Sequence, residues 1–323
     1  MEGHLFWGLP VILYLFLAGM GAGATVVSAS MLLRGGGGGR GVHFEIARYG
    51  ALLGPWPVII GTGLIIFELG AWQVGNYFRF FNLFFALTLS PMSIGSWLLM
   101  LFIATSLVYA YTFIRPLPWP EALGDKYAWR RALAWVNIPI GIGVGIYTGV
   151  MLGAMPSRPL WNSPMLAFLF LISALSTGVA LIILARAFIS RARLNEEETE
   201  VLHKSGFALT SADAMLIGFE LLAVFLFFMF AYLTVGDVRI AVGATILPGG
   251  ELAGLFWIGF VLIGLVLPVL IELRNLMPNI LYHKGYRVSA VTEIVVASAV
   301  IVGGFLLRYV IVVGGQITGP VGI

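Results

Sequence analysis

The sequence contains no cysteine and little charge, and each of these features narrows the possible functions. Without cysteine, the 323 residues can hold no disulfide, no thiolate-bound zinc and no iron–sulfur cluster of their own. Only 10% of the residues are charged and 60% are hydrophobic, whereas soluble domains are about 25% charged and about half apolar. The formal net charge of +3 comes from scattered basic residues, which does not indicate a nucleic-acid-binding face. The composition predicts an integral membrane protein.

Histidine is scarce as well. His43, His203 and His283 fall in segments that the apolar pattern assigns to loops, and His4 precedes the first apolar stretch. A b-type cytochrome needs axial histidines within its helices. We therefore predict that the protein binds no haem. No phosphate-binding loop, dinucleotide fingerprint or hydrolase serine motif is visible either.

Most of the sequence consists of long apolar stretches. A helix needs about 20 apolar residues to cross a bilayer. Eight of these stretches fall at 5–33, 49–69, 92–114, 132–155, 164–187, 208–235, 253–273 and 288–313. The glycines at 35–39 and the Ser-Pro pairs at 90–91 and 163–164 mark breaks between stretches. The sequence predicts an all-α integral membrane protein with eight transmembrane helices in one membrane domain, 1–323. We expect two four-helix bundles, 5–155 and 164–313.

The basic residues divide unevenly between the two sides of the membrane. Fourteen of the 18 lysines and arginines fall in or beside the first, third, fifth and seventh loops. The other four are Arg79, Arg158, Arg239 and Arg308. Positively charged loops stay in the cytoplasm, so both termini are expected on the outer, periplasmic side of the cytoplasmic membrane.

The fourth stretch carries a tyrosine and leads into an unusual turn. Glycines recur at 141, 145, 149 and 153, a spacing that lets membrane helices approach closely, and Tyr147 lies away from that stripe. A phenol at membrane depth needs a hydrogen-bond partner or a ligand. Tyr147 is therefore a candidate binding residue, with an interfacial anchor as the alternative. Arg158, between prolines and close to Trp161, is either a surface residue, a brace for a pocket or a contact for a partner subunit.

Carboxylates inside apolar spans are informative because each costs about 2.5–3.5 kcal/mol at mid-helix on translocon scales. Glu220 lies near the middle of the sixth stretch, and Asp213 lies about two turns closer to the cytoplasm. With Tyr232 they predict a polar proton path, for which Arg308 offers a counter-charge. Glu68, at the outer end of the second stretch, offers an alternative exit to the outside. The competing interpretation is structural pairing. Two weaker candidates are Glu272, expected at the inner end of the seventh stretch, and Glu293.

Several blocks together resemble the polysulfide reductase membrane-subunit family, also called NrfD-like. They are LAGMGAG at 17–23, Glu68-Leu69-Gly70 ahead of 77–80, SPMSIGSW at 90–97, Tyr147 followed by RPLWN at 158–162, and Arg308 leading to 314–316. The resemblance spans nearly the whole sequence. It implies a haem-free membrane subunit that exchanges electrons between quinone and an iron–sulfur subunit.

The same resemblance implies a quinone pocket near the outer face, within the first four helices. Tyr147 would hydrogen-bond a quinone oxygen, and Tyr14 stands where family members can carry histidine. The remaining predicted pocket residues are Ser93, Trp97, Arg158 and Trp161. The expected quinone is menaquinone. The implied partners are a four-cluster iron–sulfur subunit on the outer face and a molybdopterin catalytic subunit.

Two other functions suit the same composition. Glycine-interrupted spans with buried carboxylates are also found in ion or solute transporters. Against that reading, 5–155 and 164–313 share little beyond the Ser-Pro-Met starts of the third and fifth stretches. A passive anchor is the third interpretation, and it would need neither Tyr147 nor Glu220.

Overall fold

The computed structural model describes residues 7–35, 41–68, 90–114, 120, 124–189, 196–234, 236–282, 286 and 288–319. In these ranges the secondary structure is helical, with no strand. The helices are α1 (Leu9–Arg34), α2 (Val42–Leu53), α3 (Pro55–Glu68), α4 (Pro91–Tyr111), α5 (Lys126–Gly153), α6 (Met165–Ile189), α7 (Glu196–Leu233), α8 (Asp237–Thr245), a π-helix (Leu255–Val266), α9 (Leu267–Tyr282) and α10 (Ala290–Ile317).

Eight helical spans in the described ranges are long and apolar enough to cross a membrane. They are Leu9–Arg34, Val42–Ile66, Pro91–Tyr111, Lys126–Gly153, Met165–Phe188, His203–Leu233, Leu255–Tyr282 and Ala290–Ile317. Helices α2 and α3 together form the second span, and the π-helix continues into α9 as the seventh. The predicted all-α membrane fold with eight spans is confirmed. The side on which the termini lie stays a prediction.

Several predicted span ends were wrong because helices continue past their most apolar part. The second span begins at Val42 and the fourth at Lys126, both earlier than predicted, and the seventh continues to Tyr282. Asp125 explains one of these starts, since its carboxylate accepts the Tyr127 N–H at 2.9 Å and caps α5. Hydropathy marks the lipid-buried part of a helix, whereas caps and side-chain packing decide where the helix ends.

Arg130, counted with the loops in the sequence, lies inside α5 and is buried. Its Nη2 donates to the Thr112 carbonyl oxygen at 2.5 Å, just beyond the end of α4. The guanidinium also lies 4.4 Å from the Phe113 ring centroid and 5.4 Å from that of Phe44. These cation–π contacts join α5 to α2 and to the end of α4.

Helices α1 and α6 form the centre of the molecule. Helix α1 packs against α3, α5 and α6, while α6 also packs against α7 and α10. Small residues make the α1–α6 contact possible, because a Cβ on Gly23 would lie 1.9 Å from the Ala174 carbonyl oxygen. This contact joins the two predicted bundles, and the grouping into two bundles stays a prediction.

Candidate functional site

Two buried tyrosines meet near one end of the helix bundle. Tyr14 of α1 is 1% exposed and Tyr147 of α5 is 9% exposed. The hydroxyl groups of the two tyrosines interact, and that of Tyr147 donates to Sδ of Met151 at 3.2 Å. The structure therefore brings together the two tyrosines named from the sequence, and one of them donates a hydrogen bond to sulfur.

Glycines let the neighbouring helices approach this tyrosine pair. A Cβ on Gly95 of α4 would lie only 1.8 Å from Cζ of Tyr147, so the ring packs directly on the α4 backbone. On α3, a Cβ at Gly61 would lie 3.3 Å from the Tyr14 Cα. Sequence reasoning missed Gly95 and Met151 as site residues. Gly95 was inside the noted SPMSIGSW block, but only the fold shows which side chain it admits.

Ser93 and Trp97 share α4 with Gly95. Ser93 is buried, its N–H donates to Ser90 Oγ at 3.2 Å, and the two hydroxyl oxygens are 3.0 Å apart. Ser90 thereby caps the start of α4, as its position before Pro91 suggested. Trp97 is half-buried, two residues beyond Gly95.

The turn at 158–161 contacts the C-terminal end of α10. The Trp161 indole N–H donates to the Ile311 carbonyl oxygen at 2.7 Å, and its ring stacks on Trp7 with 5.1 Å between centroids. Arg158 Nη1 donates to the Gln316 carbonyl oxygen at 2.9 Å. The Gln316 amide in turn accepts the Trp7 N–H at 2.8 Å and donates to the Trp7 carbonyl oxygen at 3.1 Å. We call these five residues the terminal clasp.

The terminal clasp packs tightly against Gly315 of α10. A Cβ at this position would lie 1.9 Å from Trp161 Nε1, so a larger residue does not fit there. Arg158 and Trp161 thus contact α10, Trp7 and each other. Their predicted part in a quinone pocket remains a prediction. We use terminal end for the end of the bundle with the clasp, and opposite end for the end where α1 finishes at Arg34.

A fully buried arginine lies deeper in the bundle. Arg308 of α10 is 0% exposed, and its Nη1 donates to Ser173 Oγ at 2.5 Å and to the Gly304 carbonyl oxygen at 2.9 Å. Its Nη2 donates to the Phe170 carbonyl oxygen at 3.3 Å. The guanidinium also lies 5.2 Å and 5.9 Å from the ring centroids of Phe170 and Phe16. Backbone, hydroxyl and aromatic contacts together hold this charge in place.

Glu220 of α7 is buried next to this arginine. Ser173 interacts with its carboxyl group and accepts a hydrogen bond from Arg308, so this hydroxyl lies between the two charged groups. Arg308 was named in the sequence as a counter-charge for Glu220. Among the described residues, the link runs through Ser173 rather than through a direct ion pair.

A pair of acidic residues lies nearer the opposite end. Asp213 of α7 is 0% exposed and Glu272 of α9 is 2% exposed. Their carboxyl groups interact directly, and Ser176 Oγ donates to Asp213 Oδ1 at 3.0 Å. The expectation that Glu272 sits at the inner end of its span was wrong, because α9 continues to Tyr282. Both carboxyl groups are therefore inside the helix bundle.

An ion pair and a hydroxyl pair lie beyond these carboxyl groups at the opposite end. Arg186 of α6 pairs with Glu293 of α10, and Arg186 Nη1 donates to Ser205 Oγ at 3.3 Å. The Tyr286 hydroxyl lies 2.8 Å from Thr210 Oγ1, and burial raises the pKa of Tyr286 to about 12. A cavity of about 10 Å³, roughly enough for one water molecule, opens beside these groups. Its polar lining is Thr210, Glu272, Asn275, Tyr286, Thr292 and Glu293.

Two predicted proton-path residues are not part of this buried arrangement as described. Tyr232 is 53% exposed, and its ring centroid lies 5.5 Å from the Arg239 guanidinium. Glu68 is the last residue of α3, and its side chain lies outside the described residues. Their participation in proton transfer stays a prediction.

The described residues form eight apolar spans, a buried tyrosine pair and a line of buried charged groups. These features define a multi-pass membrane protein with internal polar contacts. The family described as "Polysulphide reductase, NrfD" matches residues 1–320, so the protein belongs to the NrfD family and the resemblance is confirmed.

Two relatives match over nearly their whole length, and a third matches over part of it. A polysulfide reductase subunit of Wolinella succinogenes is 30% identical over 322 residues, covering 96% of this protein and 94% of the relative. Protein NrfD of Escherichia coli is 29% identical over 334 residues, covering 97% and 96%. A selenate reductase subunit of Mesobacillus selenatarsenatis is 28% identical over 148 residues, covering 46% of this protein and 33% of the relative.

Proposed function

We propose that this protein is the membrane subunit of a respiratory oxidoreductase complex that exchanges electrons between the quinone pool and a partner iron–sulfur subunit. Membership in the NrfD family supports this function, as do relatives named as parts of polysulfide and selenate reductases. The observation that carries the proposal is the buried pair of Tyr14 and Tyr147, in which the Tyr147 hydroxyl donates to Met151.

The chemistry of this tyrosine pair suits a quinone or quinol substrate. A thioether sulfur is a weak acceptor, so a quinone carbonyl oxygen would be a better partner for the Tyr147 hydroxyl than Met151 is. Methionine is unbranched and flexible, and its side chain can move aside at low cost. A phenol can also accept a hydrogen bond, so the same pair suits the hydroxyl of a quinol. Menaquinone is the quinone we expect.

The position of the tyrosine pair suits electron exchange with a partner outside the membrane. Tyr147 lies six residues before the end of α5 at Gly153, which is about 9 Å along the helix. A substrate bound there would be close to the terminal end of the bundle. The distribution of arginine and lysine favours the periplasmic side of the cytoplasmic membrane for this end. We infer that a four-cluster iron–sulfur subunit docks there and connects to a molybdopterin catalytic subunit.

Proton exchange completes the proposal. Quinol oxidation releases protons and quinone reduction takes them up, through the outer side near Glu68 or through the line of Glu220 and Asp213 toward the opposite end. Ion or solute transport and passive anchoring are the competing functions. Neither of these needs a hydrogen-bond donor at Tyr147, so a change at this residue separates them from the proposal.

The test is quinol oxidation by the purified complex that carries Tyr147→Phe. Removing the hydroxyl should lower turnover about tenfold or more, since each factor of ten corresponds to about 1.4 kcal/mol. Tyr282→Phe is the matched control, because that ring is 71% exposed and far along the sequence from the pair. Partner subunits must co-purify with both variants. Equal turnover in Tyr147→Phe and wild type would contradict the proposal.

A further inference from the structure

We propose that Asp213 and Glu272 form a buried carboxyl pair that holds one shared proton, taken up from the opposite end of the bundle. This site lies away from the tyrosine pair and does not depend on the proposed quinone chemistry. Asp213 comes from α7 and Glu272 from α9, so helix packing rather than sequence proximity creates the pair.

Each carboxyl group has an oxygen that the rest of the described structure leaves unsatisfied. Apart from the contact between the two groups, Asp213 Oδ2 and Glu272 Oε2 have no hydrogen-bond partner among the described residues. Ser176 satisfies only the other oxygen of Asp213. A buried polar oxygen without a partner costs free energy. One proton between the two groups supplies the missing donor.

Electrostatic repulsion between two carboxylates favours the pair with one bound proton over the pair with both groups ionised. Two negative charges about 4 Å apart repel by about 4 kcal/mol even at an effective dielectric of 20. No cation among the described residues makes an ion pair with either group, since Arg186 pairs with Glu293. Two carboxyl groups in this situation cannot both ionise and share a proton instead.

A bound metal ion would meet too few ligands at this position. Calcium takes six to eight oxygen ligands and magnesium about six. The pair offers its own carboxyl oxygens, and the Ser176 hydroxyl proton is already directed at Asp213. In the ranges that the structure describes, no group of three or more His, Cys, Asp or Glu side chains could hold a metal ion. A proton is the ligand that the site fits.

The small cavity supplies the route to this carboxyl pair. Glu272 lines it together with Thr210 and Tyr286, whose hydroxyl oxygens are 2.8 Å apart. Tyr286 follows α9 and precedes α10, outside the apolar spans. One water molecule and these two hydroxyl groups can connect the carboxyl pair to the opposite end. The other ionisable groups beside the route are Arg186 and Glu293, which neutralise each other.

The charges farther along mark where the route ends. Glu220 lies beyond Asp213 on α7, and Ser173 links it to the cation Arg308. An arginine remains charged in proteins and offers no acceptor, so it repels an incoming proton. The aromatic rings of Phe16 and Phe170 lie against its guanidinium. The route therefore reaches the carboxyl pair from the opposite end, and Glu220 and Arg308 lie between this pair and the tyrosine pair.

Chemical labelling of the wild-type complex tests the shared proton without any turnover. The hydrophobic reagent dicyclohexylcarbodiimide reacts with protonated carboxyl groups inside membranes, and peptide mass spectrometry locates the product. We expect modification of Asp213 or Glu272, at equal extent in sodium-containing and sodium-free buffer, while the exposed Glu251 stays unmodified. Absence of product on both buried residues would overturn the proposal. Protection by sodium would also overturn it, because a cation would then occupy the site.

Infrared spectroscopy provides a second and independent measurement. Asp213→Asn and Glu272→Gln should each shift or remove the carbonyl band of the shared proton, because each takes away one of the two groups that hold it, whereas the matched surface variant Glu251→Gln should leave the band unchanged. Co-purified partner subunits show that each variant is assembled. A band identical to that of the wild type in both buried-site variants would refute the shared proton. Because neither measurement uses quinol, failure of the proposed quinone function would leave these results unchanged.

Discussion

Replacing Gly95 with alanine would add a methyl group in a place that the Tyr147 ring already occupies. The new Cβ would lie 1.8 Å from Cζ and 2.2 Å from the hydroxyl oxygen of Tyr147, far inside van der Waals contact. Either the ring or α4 must move. Overpacking of this kind costs about 1–3 kcal/mol, and ring movement also breaks the hydrogen bond to Met151 and displaces the hydroxyl from Tyr14.

We expect the Gly95→Ala complex to have a lower midpoint of thermal unfolding and a quinol oxidation rate reduced about tenfold or more. Gly63→Ala is the matched control, because a Cβ at that α3 position meets no atom within 4 Å. In the double variant with Tyr147→Phe, the two losses should not add, since both act on one hydroxyl group. Full activity of Gly95→Ala, with Tyr147→Phe impaired, would refute the inferred contact.

Three further predictions concern other parts of the molecule. Trp161→Phe removes the indole donor from the Ile311 carbonyl oxygen and should lower the stability by about 1–3 kcal/mol. Denaturant unfolding in detergent measures this change. An unchanged midpoint would show that this donor contributes nothing. Glu293→Gln leaves the buried Arg186 without its anion, which should lower the stability by about 3–5 kcal/mol in the same measurement. Restored stability in the double variant Arg186→Met/Glu293→Leu would confirm the cause. Burial raises the pKa of Tyr286 from 10.0 to about 12, so the contribution of this residue to stability is intact below pH 10 and is lost as pH rises toward about 12. Tyr286→Phe should therefore flatten this alkaline decline in the unfolding midpoint. An identical pH profile in wild type and variant would contradict the assignment.

Composition and hydropathy were sufficient to predict the eight spans, because the bilayer imposes one length and one chemistry on every crossing helix. They could not predict where the helices end. Arg130 precedes the apolar stretch 132–155 and Arg186 is the last but one residue of 164–187, yet both are buried by contacts with other helices. A window of hydropathy has no access to such contacts, so residues of this kind were assigned to loops.

The candidate sites were predictable only in part. Asp213 and Glu220 stood out because a carboxylate in an apolar span is costly and so tends to face other protein groups. Glu272 was ranked low because its span seemed to end there. Its contact with Asp213, and the position of Ser173 between Glu220 and Arg308, depend on which helices are neighbours. That information is three-dimensional, and a single sequence does not carry it.

The terminal clasp sets an order for the biogenesis of the protein. Trp161 leaves the ribosome 150 residues before Ile311, whose carbonyl oxygen accepts its indole N–H. Trp7 is synthesised 309 residues before Gln316, the residue to which its N–H donates. Because proteins are inserted from the N-terminus, these aromatic side chains must remain without their final partners until the last span has been inserted. A polypeptide released early would expose two tryptophans at one membrane surface, a feature by which quality control could distinguish it from the finished subunit.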